Sequence, residues 1–273
     1  MNTLEVSNLR LWDALTDTIL VKDSSFQIKP ERCLAIVGES GSGKSVTCRA
    51  IMRLNRSNIR QSGSIKLNGM NLTGLSDQEM RKQRGRQLCL IMQNGMRAFD
   101  PSSVVGNHFK ETLKQHYGWS KTEIIAKMAV AMENVMLKDP VTLMNKYPHQ
   151  LSGGMLQRMM IALAIVLKPT LIIADEPTSA LDTLSRYEVM EQFISLKSET
   201  GCSMIFVSHD LGAVKRIADD IVVMRDGEIV ESGAAAEIFT NTKHAYTKYL
   251  IEAKQALNSH FIRSMGGLKL VDR

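Results

Sequence analysis

The sequence predicts an α/β fold with a parallel sheet, an antiparallel β subdomain and an inserted α-helical subdomain. Four short β-like runs alternate with amphipathic helical stretches, and three of the four are continuous apolar runs that end in a polar residue. This pattern is typical of parallel strands covered by helices on both faces. The predicted strands are residues 33–38, 87–93, 170–176 and 203–209.

Two other patterns predict the remaining parts of the fold. Residues 62–72 and 220–233 have the pattern of antiparallel hairpins, and the second contains the turn pair Asp226-Gly227. Residues 103–168 have helical character and little strand signal. We therefore expect a helical subdomain, approximately residues 94–168, inserted in the α/β core.

Composition favours a globular protein outside the secretory and membrane-spanning classes. The chain has 273 residues, 44% of them hydrophobic, and a net charge of +6 spread along the sequence. Its start lacks a basic segment followed by an apolar block, and the apolar run 159–167 is too short to cross a bilayer. The four cysteines lack CxxC spacing, so neither a zinc site nor a disulfide framework is expected.

A phosphate-binding loop follows the first predicted strand. The segment "GESGSGKS", residues 38–45, precedes a predicted helix at 46–54 and matches the GxxxxGK[ST] pattern. Its glycines allow backbone N–H groups to converge on phosphate oxygens, Lys44 supplies a cation, and the Ser45 hydroxyl can bind Mg²⁺. The predicted nucleotide-binding residues are Gly38, Glu39, Ser40, Gly41, Ser42, Gly43, Lys44, Ser45 and Val46.

Two acids end the strand predicted at 170–176, where a phosphate loop needs them. Asp175 is placed to hold Mg²⁺, and Glu176 lies where it could orient and deprotonate an attacking water. ATP and Mg²⁺ are therefore the expected cofactors.

The further motifs resemble the nucleotide-binding subunit of ATP-binding cassette (ABC) transporters. "LSGGM", residues 151–155, stands in the place of the LSGGQ signature, and "SALD", residues 179–182, resembles the D-loop. His209 resembles the switch histidine, Gln93 the Q-loop glutamine, and Trp12 the aromatic that stacks on adenine. The resemblance implies a P-loop NTPase (RecA-like) core in a cassette over residues 1–235.

The resemblance also implies a role for each matched residue. Gln93 would reach Mg²⁺ and couple nucleotide state to the helical subdomain, and His209 would contact the γ-phosphate. Asp182 would bridge to a partner subunit. The implied catalytic residues are Lys44, Gln93, Glu176 and His209, and the implied metal-binding residues are Ser45, Gln93 and Asp175. The signature residues that would close over ATP held by a second subunit are Ser152, Gly153 and Gly154.

Further segments resemble importers of the oligopeptide, dipeptide and nickel type. "HAYTKYL", residues 244–250, resembles the subgroup pattern HPYTxxL, with Ala245 in place of proline, in an expected C-terminal extension over 236–273. The resemblance implies import of a nickel ion, metal–chelate or short peptide. It implies a second, non-identical ATPase subunit, two membrane-spanning permease subunits, an extracytoplasmic binding protein, and a peripheral location at the cytoplasmic membrane face.

Alternatives remain open at this level. No cysteine follows Cys202, which favours the metal or metal–chelate interpretation modestly over an oligopeptide or dipeptide importer. A soluble ABC ATPase acting on nucleic acid would suit the basic charge, but such proteins usually carry tandem cassettes or a coiled-coil insertion, so no nucleic-acid partner is expected. Met155 replaces the signature glutamine, so we expect this signature to complete the weaker of two unequal ATP sites.

Overall fold

The computed structural model describes residues 2–253, so residues 254–273 of the predicted C-terminal extension 236–273 lie outside the described residues. Within that range the strands are β1 (Leu4–Asp13), β2 (Ile19–Ile28), β3 (Cys33–Val37), β4 (Ile59–Leu67), β5 (Met70–Asn71), β6 (Leu88–Ile91), β7 (Leu171–Asp175), β8 (Ser203–Val207), β9 (Asp220–Arg225) and β10 (Glu228–Ala234). The helices are α1 (Lys44–Met52), α2 (Asp77–Gln83), α3 (Val105–Tyr117), α4 (Lys121–Asn134), α5 (Pro140–Met144), α6 (Gly153–Leu167), α7 (Thr183–Thr200), α8 (Leu211–Ile217) and α9 (Ala235–Thr240).

A six-stranded sheet in the order β10-β9-β3-β8-β7-β6 forms the centre of the molecule. The strands from β9 to β6 pair in parallel, and β10 joins the edge antiparallel. Every residue of β3 and β8 is buried. One face of these strands packs against α1 and the antiparallel strands, and the other packs against helices that include α6 and α7. Burial on both faces selects continuous apolar runs. The predicted α/β class and the predicted strands are confirmed.

The strand predicted at 87–93 is shorter than expected. β6 ends at Ile91, so Gln93 lies in the connection between β6 and a 3-10 helix at Gly95–Ala98 rather than at the end of a strand. The β6–β7 ladder ends where Ile91 pairs with Ala174. Beyond that point the chain turns away from the sheet, and the Gln93 side chain is exposed.

A four-stranded antiparallel sheet, β2-β1-β4-β5, forms the second layer. The alternation of apolar residues in β1 shifts by one position near Asn8, which has φ 50° beside a register irregularity. Such a bulge breaks the period of two by which a strand is predicted. The β4–β5 turn uses Asn68 and Gly69, both with positive φ, and the β9–β10 turn uses Asp226 and Gly227 in the same way. Both predicted hairpins are confirmed.

The helices α3 to α6 lie between the neighbouring strands β6 and β7, as the predicted insertion requires. α6 is buried on most of its surface, which its apolar sequence predicts. Its residues share one apolar cluster with Ile91, Ile172 and Phe206 of the sheet. The helical insertion therefore packs continuously onto the sheet, and its exact limits stay a prediction.

The residues after β10 pack back onto the sheet. Ala235, Ile238 and Tyr246 share a cluster with Ala35 and Val37 of β3. The chain is helical again from residue 245 to residue 253, where the described range ends. No helix among residues 2–253 is long and apolar enough to span a membrane.

Candidate active site

The predicted phosphate-loop, metal-binding and catalytic residues lie at or just beyond the carboxyl ends of the parallel strands. Lys44 begins the helix that follows β3, Asp175 ends β7, and His209 lies just beyond β8. Parallel strands end at one edge of a sheet, so residues far apart in sequence meet there. This edge is where ligands bind in open α/β sheets.

The phosphate loop has a conformation that its glycines make possible. Gly38, Gly41 and Gly43 have φ values of 152°, 85° and 102°. A Cβ atom on Gly38 would lie 2.2 Å from the backbone oxygen of Met224 on β9, so this position also requires a bare backbone. Gly41 has open space around it, and only its backbone conformation demands glycine.

Some of the remaining loop residues are exposed to solvent, and others are buried. Glu39 and Ser40 are exposed, Ser42 is buried, and Val46 packs partly against an apolar cluster beneath α1. The loop thus has an anchored base and an open rim. An open rim is what a loop needs if its N–H groups are to reach a phosphate.

The Lys44 side chain lies inside the phosphate loop. Its Nζ donates hydrogen bonds to the backbone oxygens of Gly38 at 2.9 Å and Glu39 at 2.7 Å. Burial lowers the pKa of Lys44, while the nearby carboxylates of Glu176 and Asp175 act to raise it. The ammonium group is therefore held at the loop, close to two acidic side chains.

Ser45 and Asp175, the predicted metal-binding residues at the loop, are in direct contact. The Ser45 hydroxyl donates to Oδ1 of Asp175 at 2.8 Å. Burial raises the pKa of Asp175, and the hydrogen bond from Ser45 acts to lower it. Mg²⁺ prefers hard oxygen ligands and retains several waters, so one hydroxyl and one carboxylate in contact fit this ion.

Glu176 lies between two of the other predicted catalytic side chains, Gln93 and His209. Its Oε2 lies 3.4 Å from Nε2 of Gln93 and 3.4 Å from Nδ1 of His209. Glu176 has φ 48°, a strained value for a non-glycine residue, and its backbone N–H donates to the oxygen of Val207 at 3.0 Å. This backbone conformation turns the Glu176 carboxylate away from the line of β7 and toward Gln93, in the connection that follows β6.

Ser179 is an additional polar contact in this group that the sequence motif did not single out as a site residue. Its Oγ accepts a hydrogen bond from Nε2 of Gln93 at 2.9 Å and donates to the backbone oxygen of Glu176 at 3.1 Å. Ser179 thus connects Gln93 to the Glu176 backbone. Ser179 is the first residue of the "SALD" segment, but that motif does not indicate which side chain its hydroxyl contacts.

The signature segment has different roles for its two glycines. Ser152 is the N-cap of α6, as predicted, and its Oγ accepts from the backbone N–H of Met155 at 3.2 Å. Gly153 is exposed, but Gly154 is buried, and a Cβ there would lie 3.1 Å from Ser185 of α7. The second glycine therefore permits close packing of α6 on α7. Met155 is half-buried and packs against the main apolar cluster.

Trp12 lies at the end of β1, half-buried and paired with Ile19 of β2. The next residue of β2, Leu20, has its backbone oxygen 3.0 Å from the position of a Cβ on Gly43. The end of β1 and the phosphate loop are thus connected through β2. This placement is compatible with an aromatic face next to a nucleotide base.

Asp182 is the N-cap residue of α7 and lies just before Thr183. Its side chain accepts from the backbone N–H of Ser185 at 3.0 Å, and hydrogen bonds from the backbone and hydroxyl of Ser185 lower its pKa. The residue is exposed, as a contact to a second subunit would require.

The chain is similar in sequence and in structure to known ABC transporter proteins. A family model described as ABC transporter matches residues 21–179. Dimeric structures of a bacterial ABC transporter cassette, one of them in a post-hydrolysis state bound to ADP and Pi, superimpose with a TM-score of 0.75 at 25% identity. The superposition covers 85% of this chain and 98% of the cassette.

Two curated relatives are similar over most of their length. The metal-staphylopine import system ATP-binding protein CntD of Staphylococcus aureus is 45% identical over 267 residues, which is 98% of each chain. The dipeptide transport ATP-binding protein DppD of Lactococcus lactis is 39% identical over 94% of this chain and 74% of its own length.

Proposed function

Because this chain belongs to the ABC transporter family and is an ATPase, we propose that it powers the import of a metal–chelate complex. The observation that carries the choice of cargo is the 45% identity to the metal-staphylopine import protein across 98% of both chains. Identity to the dipeptide transport protein is lower, at 39%, and spans 74% of that protein. A dipeptide cargo is the second candidate, because the same site would serve it.

The cargo is tested by reconstituting the chain with its permease subunits, partner ATPase and binding protein in proteoliposomes. We expect nickel–staphylopine to stimulate ATP hydrolysis several-fold, since cargo delivery closes the ATP sites of an importer. A dipeptide at the same concentration is the control and should leave the rate at its basal value. Stimulation by the dipeptide alone would overturn the metal–chelate proposal and favour the second candidate.

The phosphate loop would hold the triphosphate of ATP. Its N–H groups and the helix dipole of α1 attract the phosphates, and Lys44 would move its ammonium from the loop carbonyls to the β- and γ-phosphate oxygens. Ser45 and Asp175, already in contact at 2.8 Å, would hold Mg²⁺ together with Gln93. Bound Mg²⁺ neutralises the charge that develops on the phosphate oxygens during transfer.

Glu176 is the residue best placed to prepare the attacking water. Its carboxylate would accept a proton from the water, and Gln93 and His209, both 3.4 Å from its Oε2, would hold it in place. His209, whose side chain is 53% exposed, would turn to donate to the γ-phosphate. Trp12 would stack on adenine, which needs a flat apolar surface.

The signature and Asp182 would act on a second ATPase subunit. Ser152, Gly153 and Gly154 begin α6, and the N-terminus of a 15-residue helix attracts phosphate. These residues would close over ATP bound by the partner, which the cassette dimers seen among the structural neighbours support. Two permease subunits in the membrane and an extracytoplasmic binding protein would complete the system, with this chain at the cytoplasmic face.

Met155→Gln tests whether this signature completes the weaker ATP site. We expect the ATPase rate of the assembled complex to rise about two- to fivefold, because an added polar hydrogen bond to nucleotide contributes on the order of 1 kcal/mol. The measurement is ATP turnover at saturating and sub-saturating ATP. Met70→Gln, at a methionine that is 45% exposed on the antiparallel sheet, is the control. An unchanged rate and an unchanged KM for ATP would show that Met155 is neutral.

A further inference from the structure

The segment that follows α9 contacts the phosphate loop directly. The Tyr246 Oη accepts a hydrogen bond from the backbone N–H of Glu39 at 3.1 Å, across 207 residues of sequence. We propose that Tyr246 is a positioning residue for the phosphate loop, so that residues 242–250 contribute to ATP affinity without touching the nucleotide. This role rests on the proposed binding of ATP at the loop.

The Tyr246 ring has a fixed position. The residue is 6% exposed and packs in the apolar cluster that contains Ala35 and Val37 of β3, the strand that leads into the loop. The Arg225 guanidinium lies 4.9 Å from the ring centroid, which adds a cation–π contact. Because the ring is held on the same strand that carries the loop, its hydroxyl is a rigid acceptor for Glu39.

The chain on the N-terminal side of Tyr246 is held by Glu231 of β10. This carboxylate accepts hydrogen bonds from the Thr242 hydroxyl at 2.8 Å and from the backbone N–H groups of Lys243 at 2.7 Å and His244 at 3.3 Å. Burial acts to raise the pKa of Glu231, but hydrogen bonds, those from Lys243, Thr242 and His244 among them, together lower it. Glu231 therefore stays ionised and anchors the turn that precedes Tyr246.

His244 completes the local support. Its Nδ1 accepts from the backbone N–H of Tyr246 at 3.2 Å, which satisfies a donor at the start of the terminal helical segment. The histidine and tyrosine of "HAYTKYL" thus have distinct physical roles, one in capping and one in contacting the loop.

The peptide units of Glu39 link Tyr246 to Lys44. The Glu39 N–H donates to Tyr246, and the Glu39 carbonyl accepts from Nζ of Lys44 at 2.7 Å and from the N–H of Ser42 at 3.2 Å. Hydrogen bonds to both the N–H and the carbonyl of Glu39 therefore hold the first turn of the phosphate loop. Glu39 itself is exposed, so water can replace the lost acceptor. We therefore expect a loss of loop geometry rather than unfolding.

Tyr246→Phe tests the proposal, because it removes the hydroxyl and keeps the buried ring. Binding of a fluorescent ATP analogue to the purified chain should weaken about three- to tenfold, as expected for the net contribution of one hydrogen bond. In the assembled complex the KM for ATP should rise in the same proportion while kcat stays within about twofold. Tyr249→Phe, at a tyrosine 59% exposed on the same helical segment, is the matched control.

Two readouts separate positioning from a loss of stability. The melting temperature without nucleotide should be close to that of the wild type, and the increase in melting temperature on adding the ATP analogue should be smaller. A wild-type Kd for the Tyr246→Phe chain would overturn the positioning role. Failure of the wild-type chain to bind the analogue would instead refute the proposed ATP site, so the two failures are distinguishable.

Discussion

Glu176→Gln is expected to lower the ATP turnover of the assembled complex by roughly 10²- to 10⁴-fold, the range for loss of a general base. Glutamine has the same shape as glutamate and still presents an oxygen to the Gln93 amide, which lies 3.4 Å from Oε2 of Glu176. It cannot accept a proton from water near neutral pH. The chemical step should therefore fail while ATP affinity stays within about threefold of the wild type, because a lost catalytic group lowers kcat rather than binding.

The same substitution should trap a closed dimer with the partner ATPase. ATP that is bound but not hydrolysed keeps the two subunits together, since ligand binding stabilises the state that binds it. Size-exclusion chromatography with ATP should show a larger dimer fraction for the Glu176→Gln chain. Glu199→Gln removes a charge from the exposed end of α7 and serves as the control for turnover and dimer fraction. Hydrolysis at the wild-type rate would exclude Glu176 as the base.

Lys44→Ala is expected to weaken ATP binding by about 100-fold or more. A charge-assisted hydrogen bond contributes about 1.5–3 kcal/mol, and Lys44 is placed to make such bonds to two phosphates. The loop would also lose its internal hydrogen bonds from Nζ to the oxygens of Gly38 and Glu39. Both losses are expected to weaken the binding of phosphate by the loop.

The Lys44 prediction is checked by titration with a fluorescent ATP analogue. Lys66→Ala, at an exposed lysine on β4, controls for the loss of one positive charge from the chain. Lys44→Met retains an apolar stem in the buried position and controls for loss of packing. If Lys44→Met and Lys44→Ala both bound the analogue with wild-type affinity, the phosphate loop would not be the nucleotide site.

Much of the fold could be predicted from the chain because its parallel strands carry a strong signal. β3, β7 and β8 are buried on both faces, so they are continuous apolar runs that single-sequence patterns detect. β1 is half-exposed and contains a bulge at Asn8, which breaks the alternation that would reveal it. The prediction for the strand ahead of Gln93 is too long because the apolar run extends to Met92, one residue beyond Ile91, where the ladder has ended.

The candidate site was also predictable where chemistry constrains adjacent residues. A phosphate loop requires glycines, a lysine and a hydroxyl at fixed spacing, and an acid pair after an apolar strand is nearly as restrictive. The structure brings Gln93, Glu176 and His209 into one group as the motif order predicts. Their roles in catalysis stay proposals that the substitutions above test.

By itself the sequence determined the α/β class, the phosphate loop and the order of its motifs, because these depend on local spacing and periodicity. Only the tertiary structure decided that Gly154 packs on Ser185, that Ser179 joins Gln93, and that Tyr246 bonds to Glu39. Each of these contacts joins segments that are distant in sequence or lack a distinctive residue pattern. Hydrogen bonding and close packing depend on where folded segments meet. The pattern of a single sequence does not give the distances between those segments.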